Sequence, residues 1–287
     1  MPHAPDPKDP PPMAPDWDTL TATDVAHPLD NPVWAALAGT HRDYAEVVGR
    51  AARYLPDANP FAALADPADP RAWADLAALV GPGREVWLTG LPTPPEGWET
   101  VRSIPGVQLD GSAVRAEADP EAVRLGPADV AEMLELVRLT EPGPFAPRTV
   151  ELGTYLGIRR GGRLVAMAGE RMRPPGWSEI SAVCTRPDHR GEGLAGRLVR
   201  AVAAAVRERG DVPFLHAAAA NTGAIRLYRS MGFVLRREPV FIGLRTPGVA
   251  PETSPGGAGA DPAPPSGDAG IPVRENGFQG TGKGHTR

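Results

Sequence analysis

The sequence predicts a mixed α/β (α+β) fold, a mostly antiparallel sheet flanked by helices, with a smaller α/β unit ahead of it. Three observations carry this. Tyr155-Leu156-Gly157-Ile158-Arg159 and Leu164 to Met172 are apolar, β-rich runs joined at Gly161-Gly162, which signals a hairpin. Gly193 to Arg209 places Leu194, Leu198, Val202 and Ala205 on one face of an amphipathic helix. Around these, segments of helical and strand character follow in the order helix, three strands, helix, strand, helix, strand.

Taken in order, residues 17–118 open with a predicted helix from Val33 to Tyr54, where Trp34, Leu37, Ala38, His41, Ala45 and Val48 recur near the helical period. A second helix runs from about Arg71 to Val80 and is stopped by Gly81-Pro82-Gly83. Glu85 to Thr89 reads as a strand, and Trp98 to Ile104 and Val107 to Leu109 as weaker ones. In residues 119–245, Leu125 to Asp129 introduces a helix that lasts to about Thr140, with Pro127 near its start. Glu141 to Phe145 is a loop, and the hairpin follows. Trp177 to Thr185 is the next strand, then the amphipathic helix, the strand Phe214 to His216, a helix from Thr222 to Met231 and a strand from Val234 to Leu244.

The two ends differ from this middle. Seven of residues 1–16 are Pro, and residues 246–287 hold seven Pro and ten Gly, so both are expected to be disordered tails. The net charge of −5 argues against a nucleic-acid footprint and against a polybasic membrane anchor. No apolar run reaches the 18 residues of a membrane span, and the start lacks a basic and apolar leader, so a cytoplasmic location is expected. One cysteine, Cys184, permits neither an internal disulfide nor a thiolate metal cluster, and no metal is expected.

Chemistry concentrates between Thr185 and Gly196. Arg190-Gly191-Glu192-Gly193-Leu194-Ala195-Gly196 joins a strand to a helix. Its glycines let the backbone approach a ligand, and successive N–H groups with the helix N-terminus form a nest suited to a pyrophosphate. The stretch also fits G-x-G-x-x-G, but a dinucleotide fingerprint is rejected. Five residues separate the strand end from the first glycine, no acid ends the strand near Phe214 to His216, and too few βα units remain. Downstream, Asn221 and Tyr228 stand seven residues apart, nearly two helical turns, and so share a helix face. Gly232 and Phe233 read as a helix cap and a core residue.

Arg190-Gly191-x-Gly193-x-Ala195 after a strand, with Asn221 and Tyr228-x-x-x-Gly232-Phe233 downstream, resembles the GNAT superfamily of N-acetyltransferases, and Tyr155 to Leu244 resembles the subgroup named after the FR47 protein. The resemblance implies that acetyl-CoA lies between two splayed strands, Trp177 to Thr185 and Val212 to His216. The pantetheine would meet the strand edge at Val183, Cys184 and Thr185, and the pyrophosphate would meet Arg190 to Gly196. An N–H near Val183 would polarise the thioester carbonyl. An amine, either a small molecule or a peptide or protein amine, would attack directly through a tetrahedral intermediate. Tyr228 would protonate the departing thiolate. For the general base three candidates stay open: His216, Glu170 and Glu179. Glu179 and Ser181 are expected on one face of their strand with Val183 and Thr185. Phe145 and Arg148 are expected acceptor contacts, and a nucleophilic Cys184 is set aside. Arg171, Arg173, Arg200 and Arg207 are expected on solvated surface. The N-terminal half is expected to be a non-catalytic, degenerate copy of the same fold, with a distinct accessory domain as the alternative. The competing reading is an acyl-CoA sensor without turnover.

Overall fold

The computed structural model describes residues 27–90 and 93–248. The expectations for residues 1–16 and for the tail beyond residue 248 lie outside them. Helix α1 (Pro32–Ala38) starts where the Asn31 side chain accepts the Trp34 N–H and Pro32 takes the first helical position. It ends at Ala38, sixteen residues short of Tyr54, and this corrects the expected long helix. After a 3-10 turn come β1 (Ala45–Val48) and β2 (Ala51–Tyr54), folded back at Gly49 with φ 50°. Vicinal Val47 and Val48 favour extended backbone, and a left-handed Gly49 closes the hairpin. The apolar spacing that mimics a helix here belongs to two short strands.

β3 (Ala62–Leu64), α2 (Pro70–Val80) and β4 (Glu85–Thr89) follow. The two weak strands beyond them fuse into one, β5 (Glu99–Asp110). Next come β6 (Val123–Leu125), α3 (Val130–Thr140), β7 (Tyr155–Arg160), β8 (Arg163–Glu170), β9 (Trp177–Thr185), α4 (Leu194–Glu208), β10 (Val212–Ala218) and α5 (Thr222–Ser230). The expected last strand is two, β11 (Val234–Arg237) and β12 (Val240–Arg245), because Pro239 has no N–H for a ladder.

One large sheet runs β4-β12-β5-β10-β9-β8-β7-β6, with β11 also on β5; β1, β2 and β3 form a small sheet. Only the β9–β10 pairing is parallel among the large sheet's pairs. Strands from both sides of residue 118 share this sheet. β5 stands between β10 on one edge and β11 with β12 on the other. One face is packed by α4 and α5 through Leu198, Val202, Ile180 and Leu215. The other is covered by α3 through Met133 and Leu136, and by α1 with the small sheet through Leu37, Tyr54 and Phe61.

The first part of the chain repeats the order of the second. The β1-β2-β3 meander, α2 and β4 follow one another as β7-β8-β9, α4 and β10 do. Phe61 and Trp87 even form a parallel bridge, the counterpart of the parallel β9–β10 contact.

Candidate active site

β9 and β10 pair in parallel from Trp177↔Val212 to Ile180↔Leu215 and then separate. Beyond that point Ser181 to Thr185 keep their partners on β8 alone, and Val183 and Thr185 remain half-buried. A V-shaped gap therefore opens toward the C-terminal ends of both strands. Its wall carries a β-bulge. Met167 faces Cys184 and Gly169 faces Ser181, so Ala182 and Val183 together oppose Ala168, and Ala182 takes φ 51°. The extra residue flips the side-chain alternation. Ile180 and Val183 pack on the α4 face, whereas Ala182 and Cys184 pack on the α3 face. This corrects the expected common face of Glu179, Ser181, Val183 and Thr185.

The glycine loop lies between the end of β9 and α4. Gly191 and Gly193 adopt φ 89° and 74°, and a Cβ on either would meet nothing within 4 Å. Backbone conformation, not crowding, calls for glycine there. Gly193 caps α4 without a side-chain bond. Among the described residues the N–H groups from Gly191 to Gly196 donate to no side chain and to no backbone group outside the helix. Leu194 and Gly196 are buried, Ala195 is half-buried, and Gly191, Glu192 and Gly193 are exposed, as is Arg190. Glu192 meets the His189 ring at 2.9 Å. Arg186 is tied to Glu135 at 3.2 Å.

Asn221 caps α5, its side-chain oxygen accepting the Ala224 N–H at 3.2 Å. Two turns on, Tyr228 is buried among Leu194, Ile225 and Met231 and stacks edge-on to Phe233. Its hydroxyl makes no hydrogen bond among the described residues, and burial pushes it up to about 12. Cys184 is buried against α3, and burial pushes its thiol up to about 12, which removes the thiolate a nucleophile requires.

The three base candidates sit in different surroundings. Glu170 is on the α4 face, where Thr154 N–H (3.0 Å), the Ser178 hydroxyl and Arg209 at the C-terminal end of α4 all donate to it. That end is a full 15-residue helix away from the glycine loop. Glu179 faces the other way. Arg171 grips it with two bonds, 2.9 and 2.7 Å, and the His216 Nδ1 lies 2.7 Å from Oε1. Burial raises the Glu179 carboxyl, but Arg171 and then His216 outweigh it and hold it at about 2. Arg171 is thus buried in an ion pair, not on the solvated surface expected of it. The loss of hydration that a buried guanidinium suffers is offset only by such a partner.

His216 stands at the level where the strands part, its ring packed edge-on between Phe214 and Phe241. Its Nε2 is 3.1 Å from Gln108 Nε2 on β5. Gln108 also reaches the Leu29 carbonyl (2.9 Å) and accepts from Arg236 (2.8 Å), which in turn holds Asp30. Gln108 and Arg236 carry no role in the sequence reading, and Arg171 is placed by it on the surface. The available signal was a polar residue inside an apolar strand, Gln108 between Val107 and Leu109 and Arg171 at the end of Leu164 to Met172. A cavity of about 290 Å³ opens beside this network, lined by Leu29, Asp30, Gln108, His216, Arg237 and Glu238 among others.

Phe145 and Arg148, the expected acceptor contacts, do not line this cavity. Phe145 is buried under α3 with its ring edge-on to Tyr155. Arg148 pairs with Glu151 at 2.9 Å, lies over the Tyr44 ring, and its N–H reaches the Asp57 carbonyl, so it fastens the loop to the N-terminal part. Among the described residues no helix is long and apolar enough to cross a membrane and no cluster of metal-ligating residues occurs.

Residues 155–242 match the FR47-like protein family. The chain is 33% identical over 130 residues to the N-alpha-acetyltransferase RimI of Mycobacterium tuberculosis, covering 40% of this chain and 81% of that protein. It is 30% identical over 181 residues to the mycothiol acetyltransferase of Pseudarthrobacter chlorophenolicus, covering 56% of this chain and 53% of that one. A solved GNAT-family acetyltransferase structure from Novosphingobium aromaticivorans superposes with a TM-score of 0.70 at 45% identity, over 76% of this chain and 98% of that one. The mixed, mostly antiparallel sheet flanked by helices is the shared framework. The chain belongs to the GNAT family of acetyltransferases, with an FR47-like C-terminal part.

Proposed function

We propose that this enzyme transfers the acetyl group of acetyl-CoA directly to a primary amine. The observation that carries the reading is the gap between β9 and β10, which opens from Ile180 and Leu215 with the N–H nest of Gly191 to Gly196 below it. A pyrophosphate would meet those N–H groups and the positive end of α4, and Arg190 stands on the same loop. The pantetheine would run along the free edge of Val183, Cys184 and Thr185. The bulge at Ala182 turns the local N–H groups out of the regular ladder, which suits a donor to the thioester carbonyl.

In this reading the acceptor's ammonium gives a proton to His216, whose imidazolium is held by Glu179. The neutral amine attacks the thioester carbon and forms a tetrahedral intermediate. The tetrahedral nitrogen gives its second proton to water, collapse expels the CoA thiolate, which takes a proton from Tyr228, and solvent returns a proton to the tyrosine. A tyrosine held near 12 is a reluctant acid toward water, yet it donates to a developing thiolate in the same apolar pocket. Glu170, engaged by three donors at the far end of α4, is a weaker base candidate, and Glu179, held at about 2, serves by orienting His216.

The relatives point to amine acceptors of two kinds, since one is named for N-alpha acetylation and the other for mycothiol. The part of the chain before residue 119 is read as a non-catalytic copy of the fold. Its loop before α2 carries Asp66 and Asp69 in place of glycines. The Asp69 carboxylate accepts the Arg71 N–H at 3.0 Å and so fills the place an anion would take.

The test is Tyr228→Phe, assayed by thiol release from acetyl-CoA with a panel of primary amines and by calorimetry of CoA binding. Turnover falling about 10²-fold or more with unchanged CoA affinity is expected for a proton donor. Wild-type binding without thiol release for any amine would favour an acyl-CoA sensor. No binding of acetyl-CoA would overturn the reading of the glycine loop.

A further inference from the structure

The polar chain around His216 has a direction, and both of its ends fix it. At one end is Arg236, whose guanidinium can only donate. It donates to Gln108 Oε1 at 2.8 Å, so that atom is the amide oxygen and the other is the NH₂ group. The NH₂ group donates one hydrogen to the Leu29 carbonyl at 2.9 Å and faces His216 Nε2, 3.1 Å away, with the other. His216 Nε2 must then offer its lone pair, and the ring proton is on Nδ1. At the opposite end Arg171, again only a donor, keeps Glu179 an ionised acceptor, and the Nδ1–H points at it over 2.7 Å. Read from either end, the same tautomer results. An imidazolium would aim its Nε2–H at the Gln108 N–H, a donor against a donor in a buried site.

We infer that Gln108, a residue of the N-terminal part, is a positioning residue that holds His216 as the neutral Nδ1–H tautomer and keeps its Nε2 lone pair ready to accept a proton. Glu179 alone would not do this, because a carboxylate welcomes the imidazolium as well. Among the described residues, the charged groups that face the ring or its network are Glu179 and, through it, Arg171, Arg236 on β11, and Asp30 with Arg236 and Arg237; Glu238 lines the cavity. The cavity is lined by both Gln108 and His216, so an amine entering it meets the lone pair by taking the place of the Gln108 N–H. The inference rests on the reading of His216 as the base only for its consequence in turnover, and the state of the ring is measurable without it.

The experiment is nitrogen NMR of the full chain with isotopically labelled histidine, near neutral pH. The expected wild-type signature for His216 is a pyrrole-like Nδ1 and a pyridine-like Nε2. In Gln108→Glu the amide donor becomes an acceptor, and Nε2 is expected to turn pyrrole-like as the ring charges. Since Gln108 is buried and that variant can unfold, Arg236→Lys, altered at the half-exposed end, provides the second reading. With the guanidinium clamp on Oε1 gone the amide can turn over, and the pyridine-like Nε2 signal should shift toward the pyrrole-like position. A wild-type ring that is already charged, or protonated on Nε2, overturns the inference, and so does a signature unmoved in both folded variants. Loss of the base reading shows separately, as full turnover in His216→Ala.

Discussion

Replacing Arg171 by Met would leave the Glu179 carboxylate buried without its main partner. Arg171 makes both contacts of a bidentate pair and lies 5.1 Å over the Phe61 ring, and Glu179 has no exposed surface. Removing one member of such a pair destabilises by about 3–5 kcal/mol. The titration of Glu179 gives a second route to the magnitude. Its carboxyl is held at about 2 against an ordinary 4.5, which by linkage is worth roughly 3 kcal/mol at neutral pH. A depressed carboxyl contributes stability that is complete above 4.5 and is lost as pH falls toward 2. The assay is urea and thermal unfolding of the full chain at pH 7, comparing wild type, Arg171→Met, Glu179→Leu and the double variant Arg171→Met/Glu179→Leu. A 3–5 kcal/mol loss lowers Tm by roughly 6–20 °C for a protein of this size. The double variant is expected to regain part of that loss, because two apolar side chains carry no desolvation penalty. A single-variant loss below about 1 kcal/mol, or a double variant that loses the sum of both singles, would refute the buried-pair argument.

Other consequences are as direct. His41 is held at about 4, mainly by burial, while an unfolded chain protonates near 6.5, so stability should fall by about 3 kcal/mol between pH 6.5 and 4. That limb should flatten in His41→Phe, and an unchanged slope of unfolding free energy against pH would contradict it. Gly193→Ala should weaken acetyl-CoA binding, measured by calorimetry, because a left-handed alanine costs about 1–2 kcal/mol and pulls the nest out of shape; equal affinity would show that the nest tolerates another backbone. Cys184 should resist iodoacetamide at pH 8 in the folded protein and react in urea, and Cys184→Ala should keep its thiol-release activity. Rapid labelling of the folded form would show that the thiol is not held at about 12.

Where local chemistry decides the structure, the sequence is readable. Gly161-Gly162 with φ 56° and 81° makes the hairpin it signals, Gly81 ends α2, and Trp177 to Thr185 is a strand throughout. Three glycines and an adjoining amphipathic helix announce the loop at Gly191 for the same reason. Long-range pairing decides the rest. Val33 to Tyr54 carries a helical spacing, yet β2 is drawn into a sheet by β3 and by packing against α2, which no local pattern encodes. The bulge at Ala182 leaves no mark, because alanine is an ordinary strand residue and only the partner strand reveals the extra position. Arg171 looks like a surface arginine until Glu179 is brought opposite it. Gln108 and His216 lie over a hundred residues apart, and their meeting follows from where β5 inserts, not from either neighbourhood.

The insertion of β5 also bears on how the protein is made. During synthesis β4 and β5 leave the ribosome long before β10 and β12, the strands they pair with. They must wait with apolar residues such as Val86, Leu88 and Leu109 uncovered, a state open to association between nascent chains. The sheet closes only when Val240–Arg245 has emerged, so a stop codon shortly before Val240 would cripple the first half of the protein along with the last. Fragments split at residue 118 would reassemble, if at all, by mutual strand exchange, and such a pair would resemble two interlocked pieces more than a head and a body.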